Sequence, residues 1–523
     1  MYSGMLQCLE AQLLAQEGGA LLVDRVAAQA LLGKSLEEHV LEALFRFEDS
    51  PEHVSETTPA CYPAHYLDQL RHLLALSLLT KLFPDFQKYQ AAVAAQFQEI
   101  RQRSYFPGFQ LSGAMIALIA FVLGLSVVMP RPELLPSGAA PVEVNGDWSW
   151  SNFPHPSVHA ELGLIWALLG KISDNQECLL AAQRVAEWQV NTLDGWSRPL
   201  LGLFAQEKSS TLARQLTVNC LLFMAVSSPF ASAQAEQLKQ LFQENAPIYI
   251  PAWLTLCAFW MEQLGIHAVQ ATPAAFALLG SASFGNVIYD PHTALVGHRD
   301  SQTSVVATLF GGNTGMGAFQ GIDVGVVSYG PQVLPLGDCR GFGIERGFVL
   351  GRSIESDIVS TCQESGFSLQ GKSRLVMPPE VACSAITFHN PAVNLSWIES
   401  RQRYEGKLLE ITASFLSLTA DLKNLAFVFY VKSPLCVVDG LYRLLPQSLD
   451  RYQSASCRVD FKGEKTHLYL EAVGEKEGTE EGSRMEVIPL AGGDDYWGAD
   501  FLVAYFFESG TLEDHRWTIG SLG

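Results

Sequence analysis

The chain has 523 residues, 48% of them apolar and only 17% charged, with a formal net charge of −20. That length exceeds what one hydrophobic core serves, so two or three domains are expected, and the apolar content argues against long disorder. The acidic surface repels polyanions at long range, which argues against nucleic acid as a partner, and against a densely sulfated glycan unless a local basic patch overrides it.

From residue 1 to about 280 the apolar pattern is helical. The N-terminal "MYSGMLQCLEAQLLAQEGG" has no basic region followed by an apolar core, so an amphipathic helix is expected there in place of a signal peptide. "SLEEHVLEALFRF", "YLDQLRHLLALSLLTKLF" and "YQAAVAAQFQEIRQR" carry apolar residues at spacings of three and four. Residues 111–129, "LSGAMIALIAFVLGLSVVM", hold no charge and are long enough to span a bilayer. No second span accompanies them and amphipathic helices flank them, so a helix buried on all sides is the expectation, with no membrane as partner.

"HAELGLIWALLGKISDNQECLLAAQRVAEWQVNTL" reads as a helical hairpin, its first helix ending near Gly170 and Lys171 and its second capped by Asp174 or Asn175. A second pair follows in "STLARQLTVNCLLFMAVS" and "AQAEQLKQLFQEN". Successive hairpins without a fixed repeat length predict an (α/α) toroid or solenoid over residues 1–280.

Near residue 281 the texture changes to short runs rich in Val, Ile, Phe and Tyr between Gly, Asn and Asp turns. Examples are "NVIYDPHTALVGHRD", "TSVVATLFGG", "DVGVVSYG", "LEITASFLSLTA", "NLAFVFYVKSPLCVVDG", "THLYLEAV" and "DFLVAYFFES". They predict an antiparallel β-sandwich over residues 281–523, making the chain an α+β multidomain protein. The polar segment 473–484 reads as a solvated hairpin tip. Ten cysteines without a Cys-x-x-Cys pair, most in apolar runs, suit buried free thiols and a cytoplasmic location; no zinc cluster or other cofactor site is read from them.

The wording of residues 284–340 resembles the start of the β-domain in heparinase II/III-like polysaccharide lyases. In "VGHRDSQTSVVATLFGGNTGMGAFQGIDVGVVSYGPQVLPLGD" the resemblance rests on Arg299-Asp300, a strand over 304–310 and Gly311-Gly312. It continues with Gln320-Gly321-Ile322-Asp323 and a strand ending at Leu336-Gly337, while "LCVVDG" with Asp439 resembles that family's Val-Val-Asp strand. The resemblance implies a toroid followed by a sandwich, and β-elimination of a uronic-acid-containing polysaccharide in a cleft between them. Two departures accompany it. The family's His ahead of the Asp is Gln320, which neither shuttles protons nor ligates metal well. The toroid segment "LDGWSRPLLGLFAQE", where a proton-transferring Tyr is expected, holds none. The alternative is therefore a catalytically degenerate relative that binds a glycan or a protein partner.

Elimination from a uronate needs a group that neutralises the carboxylate, a base for the C5 proton and an acid for the leaving oxygen. "NGDWSWSNFPHPSVHAELG", residues 145–163, gathers Asn152 for the carboxylate, His155 or His159 as base, and Trp148 and Trp150 as stacking surfaces, just before a helix. The plain alternative is a loop whose Asn caps that helix and whose tryptophans fill the core. Asp147 and Glu161 admit a glycoside hydrolase with two carboxylates, or structural use. His298, Arg299 and Asp300 begin a strand, where Arg299 could grip a carboxylate or form a structural ion pair. Gln320 and Asp323 complete the candidate substrate-binding set, although a lone acid in an apolar hairpin also suits a buried structural role. A metal would require the fold to gather His292, His298 and His389, and none is expected.

Overall fold

The computed structural model describes residues 22–45, 62–102, 110–140, 156–194, 210–243 and 249–267, and beyond them the strands given below with some of their turns. Helices come first and antiparallel sheets follow, as the hydrophobic periods predict. The chain folds as two compact units, with the described residues 191–194 grouped with the sheets.

Among the described residues the first unit has ten α-helices: α1 (Leu22–Leu31), α2 (Glu38–Phe45), α3 (Tyr62–Leu82), α4 (Gln90–Gln102), α5 (Gln110–Leu123), α6 (Pro156–Ser173), α7 (Gln176–Gln189), α8 (Ser210–Ala225), α9 (Phe230–Gln243) and α10 (Ala252–Gln263). Their packing closes a ring: α3 on α5, α5 on α6, α6 on α8, α8 on α10, and α10 back on α3. The other helices lie outside it, with α4 against α3 and α5, α7 against α6, α9 against α8, and α1 across α3 and α10.

Composition sorts the two layers. An inner helix has neighbours on every side, so it is apolar all round. In α5 the buried residues run Leu111, Ser112, Ala114, Met115, Ala117, Leu118, Ile119, Ala120, Val122 and Leu123. Outer α9 buries only Phe230, Ala231, Ala233, Gln234 and Leu238, one stripe facing α8. The charge-free stretch 111–129 is thus an inner ring helix that stops at Leu123, and Val128 beyond it is 87% exposed. No helix among the described residues is long and apolar enough to cross a membrane.

The hairpin of α6 and α7 turns at Asp174, whose φ is +53°, and Asn175 is the cap. The Asn175 side chain accepts hydrogen bonds from the N–H groups of Glu177 at 2.9 Å and Cys178 at 3.2 Å, satisfying two otherwise orphaned donors. Helix α6 runs one turn past Gly170. Between α5 and α6 the outer position holds no helix in the described residues 124–140; Arg184 of α7 donates to the carbonyls of Leu135 and Pro136 there.

The second unit begins with an antiparallel meander in chain order: β1 (Val287–Asp290), β2 (Leu295–Arg299), β3 (Thr303–Thr308), β4 (Asp323–Tyr329) and β5 (Gln332–Leu334). Next come β6 (Gly351–Gln363), β7 (Gly366–Met377), the short pair β8 (Val381–Ala382) and β9 (Ala385–Ile386), β10 (Val393–Glu405), β11 (Leu408–Leu418), β12 (Ala426–Val431) and β13 (Cys436–Val438). The rest are β14 (Tyr442–Leu444), β15 (Tyr452–Ser454), β16 (Arg458–Lys462), β17 (His467–Val473), β18 (Arg484–Pro489), β19 (Phe501–Phe506) and β20 (Asp514–Ser521).

Nine of these strands form one sheet in the order β14-β13-β16-β17-β20-β11-β10-β7-β6, and four form another in the order β12-β19-β18-β15. The two sheets share a core: Trp517 of β20 meets Phe429 of β12 and Tyr505 of β19 edge-on, and Phe461 of β16 lies 6.4 Å from Phe501 of β19. All six residues of β19 are buried. Such interdigitation of aromatic and β-branched side chains is what holds a sandwich together. The segment 317–338 contributes β4 and β5, the last hairpin of the meander; β1 and β2 make the first.

Candidate functional site

Three inner helices bring charge together inside the helical unit. Glu161, in the second turn of α6, is fully buried and accepts from Arg71 of α3 through Nε at 3.1 Å and Nη2 at 2.7 Å. Its other oxygen accepts from Nη2 of Arg214, in the second turn of α8. Burial works against the charge on Glu161, but the two guanidiniums outweigh it and hold the carboxyl below the usual range. With no exposed surface and both oxygens engaged by arginines, this carboxylate does not suit either role of a hydrolase pair. Arg71 also donates to Asp68 at 2.7 Å, and Asp68 is largely exposed. Arg71 keeps 12% of its side chain exposed and Arg214 28%.

Tyr249, just ahead of α10, lies within electrostatic reach of Arg214 and Asp68 and is 39% exposed. Its hydroxyl donates to Oδ2 of Asp24 at 2.7 Å. Burial, with Asp24 beside it, pushes the phenol well above its ordinary value, the opposite of what a proton-abstracting Tyr needs. Oδ1 of Asp24 accepts the N–H of Ala252 at 2.8 Å, the first residue of α10. The residue at the cap position is Pro251, which makes no side-chain cap, so a carboxylate from α1 does the capping.

The helical unit also holds a chain of buried polar side chains. His159, in the first turn of α6, is 1% exposed and its Nδ1 lies 2.8 Å from Oε1 of Gln189. Gln189 Nε2 donates to Asn219 Oδ1 at 3.2 Å, which also accepts from Gln215 at 2.8 Å. Asn219 Nδ2 donates to Gln234 at 3.2 Å. The His159 ring also packs edge-on against Trp188, centroids 4.6 Å apart. Burial lowers its pKa to about 4, although the bond to Gln189 favours the proton, so the ring is neutral near pH 7. His159 is thus neutral and inside the unit, while the other members of the tryptophan loop, Trp148, Trp150, Asn152 and His155, lie outside the described residues, as does Asp147.

In the sheets, Arg299 at the end of β2 is 3% exposed and donates to the Leu193 carbonyl at 3.1 Å. Burial lowers its pKa to about 10 against the pull of nearby Asp194. It fastens the segment after α7 to the meander. His298 is also buried, while Asp300, Gln320 and His389 lie outside the described residues. Asp323 pairs with Thr308 across β4 and β3. Among the described residues no group of three or more potential metal ligands is found. Asp439, from the Val-Val-Asp run, sits in a left-handed turn with φ +54°. Its carboxylate accepts from the hydroxyls of Ser454 and Ser456, each at 2.6 Å, and from the N–H groups of Ala455 and Ser456. Burial opposes this charge, yet the hydroxyl and amide donors lower its pKa, making it a clamp between two turns.

Sequence reading did not single out Arg71, Arg214, Tyr249 or Asp24. A signal existed for Arg214, the lone charge in its helix, "STLARQLTVNCLLFMA"; Arg71 shares its helix with Asp68 and Lys81, so its sequence reads as an ordinary surface pair. The capping by Asp24 had none, because donor and acceptor are 228 residues apart.

No protein-family model matches the chain, and no curated protein matches it in sequence. Among solved structures it is similar to a heparinase III gene product, at 12% identity over 85% of this chain, with a TM-score of 0.42; it spans 63% of that protein's chain. It is also similar to the heparan sulfate lyase HepC of Pedobacter heparinus, at 8% identity over 99% of this chain and 88% of that one, with a TM-score of 0.31. By structure, then, the chain has a distant similarity to heparinase III and heparan sulfate lyases.

Proposed function

We propose that the protein is carbohydrate-active and acts on a uronic-acid-containing polysaccharide by β-elimination. What supports this reading is one coincidence. A closed ring of paired helices precedes antiparallel sheets, and the sheets open with the lyase-like order Arg299-Asp300, strand, glycines, Gln320-Gly321-Ile322-Asp323, strand. In the reaction Asn152 binds the carboxylate, which acidifies the C5 proton; a histidine removes that proton, the bond from C4 to the glycosidic oxygen breaks, and that oxygen takes a proton. His155 is the better base of the pair, since the His159 ring is buried and bonded to Gln189. Trp148 and Trp150 supply stacking faces. The partner is an acidic polysaccharide or oligosaccharide.

A second reading, a silent relative that binds a glycan or a protein partner without cleaving it, draws on two observations: Gln320 stands where the lyases have His, and His159 is buried. The deciding experiment follows ultraviolet absorbance of the unsaturated uronate over a panel of uronic-acid polysaccharides. Wild type should generate the signal on at least one substrate, and Asn152→Ala and His155→Ala should abolish it. A flat trace for wild type on every substrate removes the elimination reading and leaves binding.

A further inference from the structure

Strand β14 ends the nine-stranded sheet and β15 ends the four-stranded one. Tyr442 and Tyr452 meet across the gap between them, ring centroids 4.1 Å apart and tilted by 36°. Register puts both rings on the core side. Leu444 lies across Cys436 from the core residue Phe461, and Tyr442, two positions along β14, shares that face. Tyr452 pairs with Val487, which pairs with Val503 on the face of β19 that carries Phe501. The two tyrosines therefore close the mouth of the sandwich. Hydrogen bonds fix its lips: Asp439 engages Ser454, Ala455 and Ser456, and the N–H of Leu441 donates to the Val438 carbonyl at 3.1 Å. Beyond β14 the N–H of Leu445 donates to the Ser448 hydroxyl at 3.2 Å. On this ordered backbone Leu441, Tyr442 and Leu445 are 78%, 47% and 59% exposed. Sheet edges ordinarily carry charges that keep other chains away, and apolar side chains gathered at one edge mark a contact site.

Charge narrows the occupant. From Lys432 to His467 the chain has six basic and four acidic residues, within a protein of net charge −20. Of the acids, Asp439 is held by its serines, Asp460 is engaged by Arg458 and His467, and Asp450 and Glu464, like Lys465, lie outside the described residues. Of the bases, Arg458 also reaches Glu471 and Lys432 faces Asp500. Arg443, Arg451 and Lys462 are exposed, and among the described residues no acid is paired with them. Arg443 follows Tyr442 and Arg451 precedes Tyr452, so each ring has a cation next to it in the chain. Resting on the carbohydrate reading above, we infer that this mouth, made of Leu441, Tyr442, Leu445 and Tyr452 with Arg443 and Arg451, is a binding surface for an acidic oligosaccharide. The apolar residues meet the C–H faces of the sugars and the arginines meet their carboxylates. The surface belongs to the sheets alone, so it holds the glycan whether or not the chain cleaves it.

The test measures binding of an oligogalacturonate, an oligoglucuronan and their neutral, carboxyl-reduced forms to the full chain by titration calorimetry at low salt. Wild type should bind at least one acid. Tyr442→Ala should weaken that binding by about tenfold, and Tyr442→Phe, which keeps the ring, by less than about threefold. Arg443→Ala combined with Arg451→Ala should weaken the acid by about tenfold and leave the reduced form unchanged. Leu441→Glu, at a position open to water, should weaken the acid by a similar factor. Circular dichroism confirms that each variant is folded. Unchanged acid binding in Tyr442→Ala, in Leu441→Glu or in the double arginine variant overturns the inference, while the carbohydrate reading stands. A wild-type dimer that Leu441→Glu splits in sedimentation, with oligosaccharide affinity unchanged, overturns it too and makes the mouth an interface between copies. Loss of acid binding in these variants beside a flat elimination trace for wild type supports the inference and removes only the elimination step. Binding of no oligosaccharide by wild type overturns the inference and the carbohydrate reading together.

Discussion

Replacing Asp24 by Ala removes two bonds that tie α1 to α10. Ala252 loses the acceptor for its N–H, 2.8 Å away in a buried setting, and Tyr249 loses the acceptor for its hydroxyl at 2.7 Å. Losing a helix cap costs about 1 kcal/mol, rising to about 2 in well-packed settings. A hydrogen bond to a charged group adds about 1.5 kcal/mol, and the positive end of the α10 dipole loses its facing carboxylate. The expected total is about 3 kcal/mol. Asp24→Asn retains one carbonyl oxygen and should cost about 1 kcal/mol, as should Tyr249→Phe. Urea unfolding followed by far-ultraviolet circular dichroism measures each value, and the double variant Asp24→Ala with Tyr249→Phe should fall short of the sum by about 1 kcal/mol because the two share a bond. A loss below about 0.5 kcal/mol for Asp24→Ala would refute remote capping, and strict additivity would refute the bond shared with Tyr249.

His159 gives a pH signature. Its folded pKa is depressed from 6.5 to about 4, so between those values the unfolded chain binds a proton that the folded one refuses. Stability is therefore retained above 6.5 and lost as pH falls toward 4, by about 3 kcal/mol in total. His159→Gln should flatten that part of the curve in denaturant titrations across this range; an unchanged slope contradicts the assignment. Glycine packing supplies the third prediction. A Cβ on Gly170 would stand 2.6 Å from Cγ of Leu179 and 3.0 Å from its backbone N, whereas one on Gly163 would meet side-chain methyls of Val185 and Leu222 at 2.6 and 2.9 Å. Both Ala variants should lose about 1–3 kcal/mol, with Gly170→Ala the worse because a backbone cannot swing aside. Thermal melts that rank them the other way would count against the tight α6–α7 contact.

How much of this was legible in the sequence depends on the source of each signal. Helices α3, α4, α6, α7, α8 and α9 were readable because their spacing follows a period near 3.6, and Asn175 announced its cap by residue type. The strands rich in Val, Phe and Tyr, such as β12, β13, β17 and β19, were equally plain. The long strands β7 ("GFSLQGKSRLVM") and β10 ("VNLSWIESRQRYE") were not: polar and charged residues interrupt their apolar positions, and their place inside the nine-stranded sheet comes from pairing partners distant in sequence. The same limit applies to the cluster. Glu161 was visible as an acid near a tryptophan loop, but that it would be buried between Arg71 and Arg214 depends on how three helices meet, 90 and 53 residues apart.

The closure of the ring by α10 against α3, latched by α1, has a consequence during synthesis. The first inner helix emerges from the ribosome long before its last neighbour does. At ordinary elongation rates the gap between α3 and α10 amounts to roughly ten to forty seconds. Throughout that interval α3 carries Leu70, Leu73, Leu74, Leu76, Leu78 and Leu79, all wholly buried in the finished unit, without the helix that seals one side of them. A nascent chain of this kind is a natural client for a chaperone that shields apolar helices, and a ribosome stalled anywhere before α10 would display an open, adhesive arc of helices.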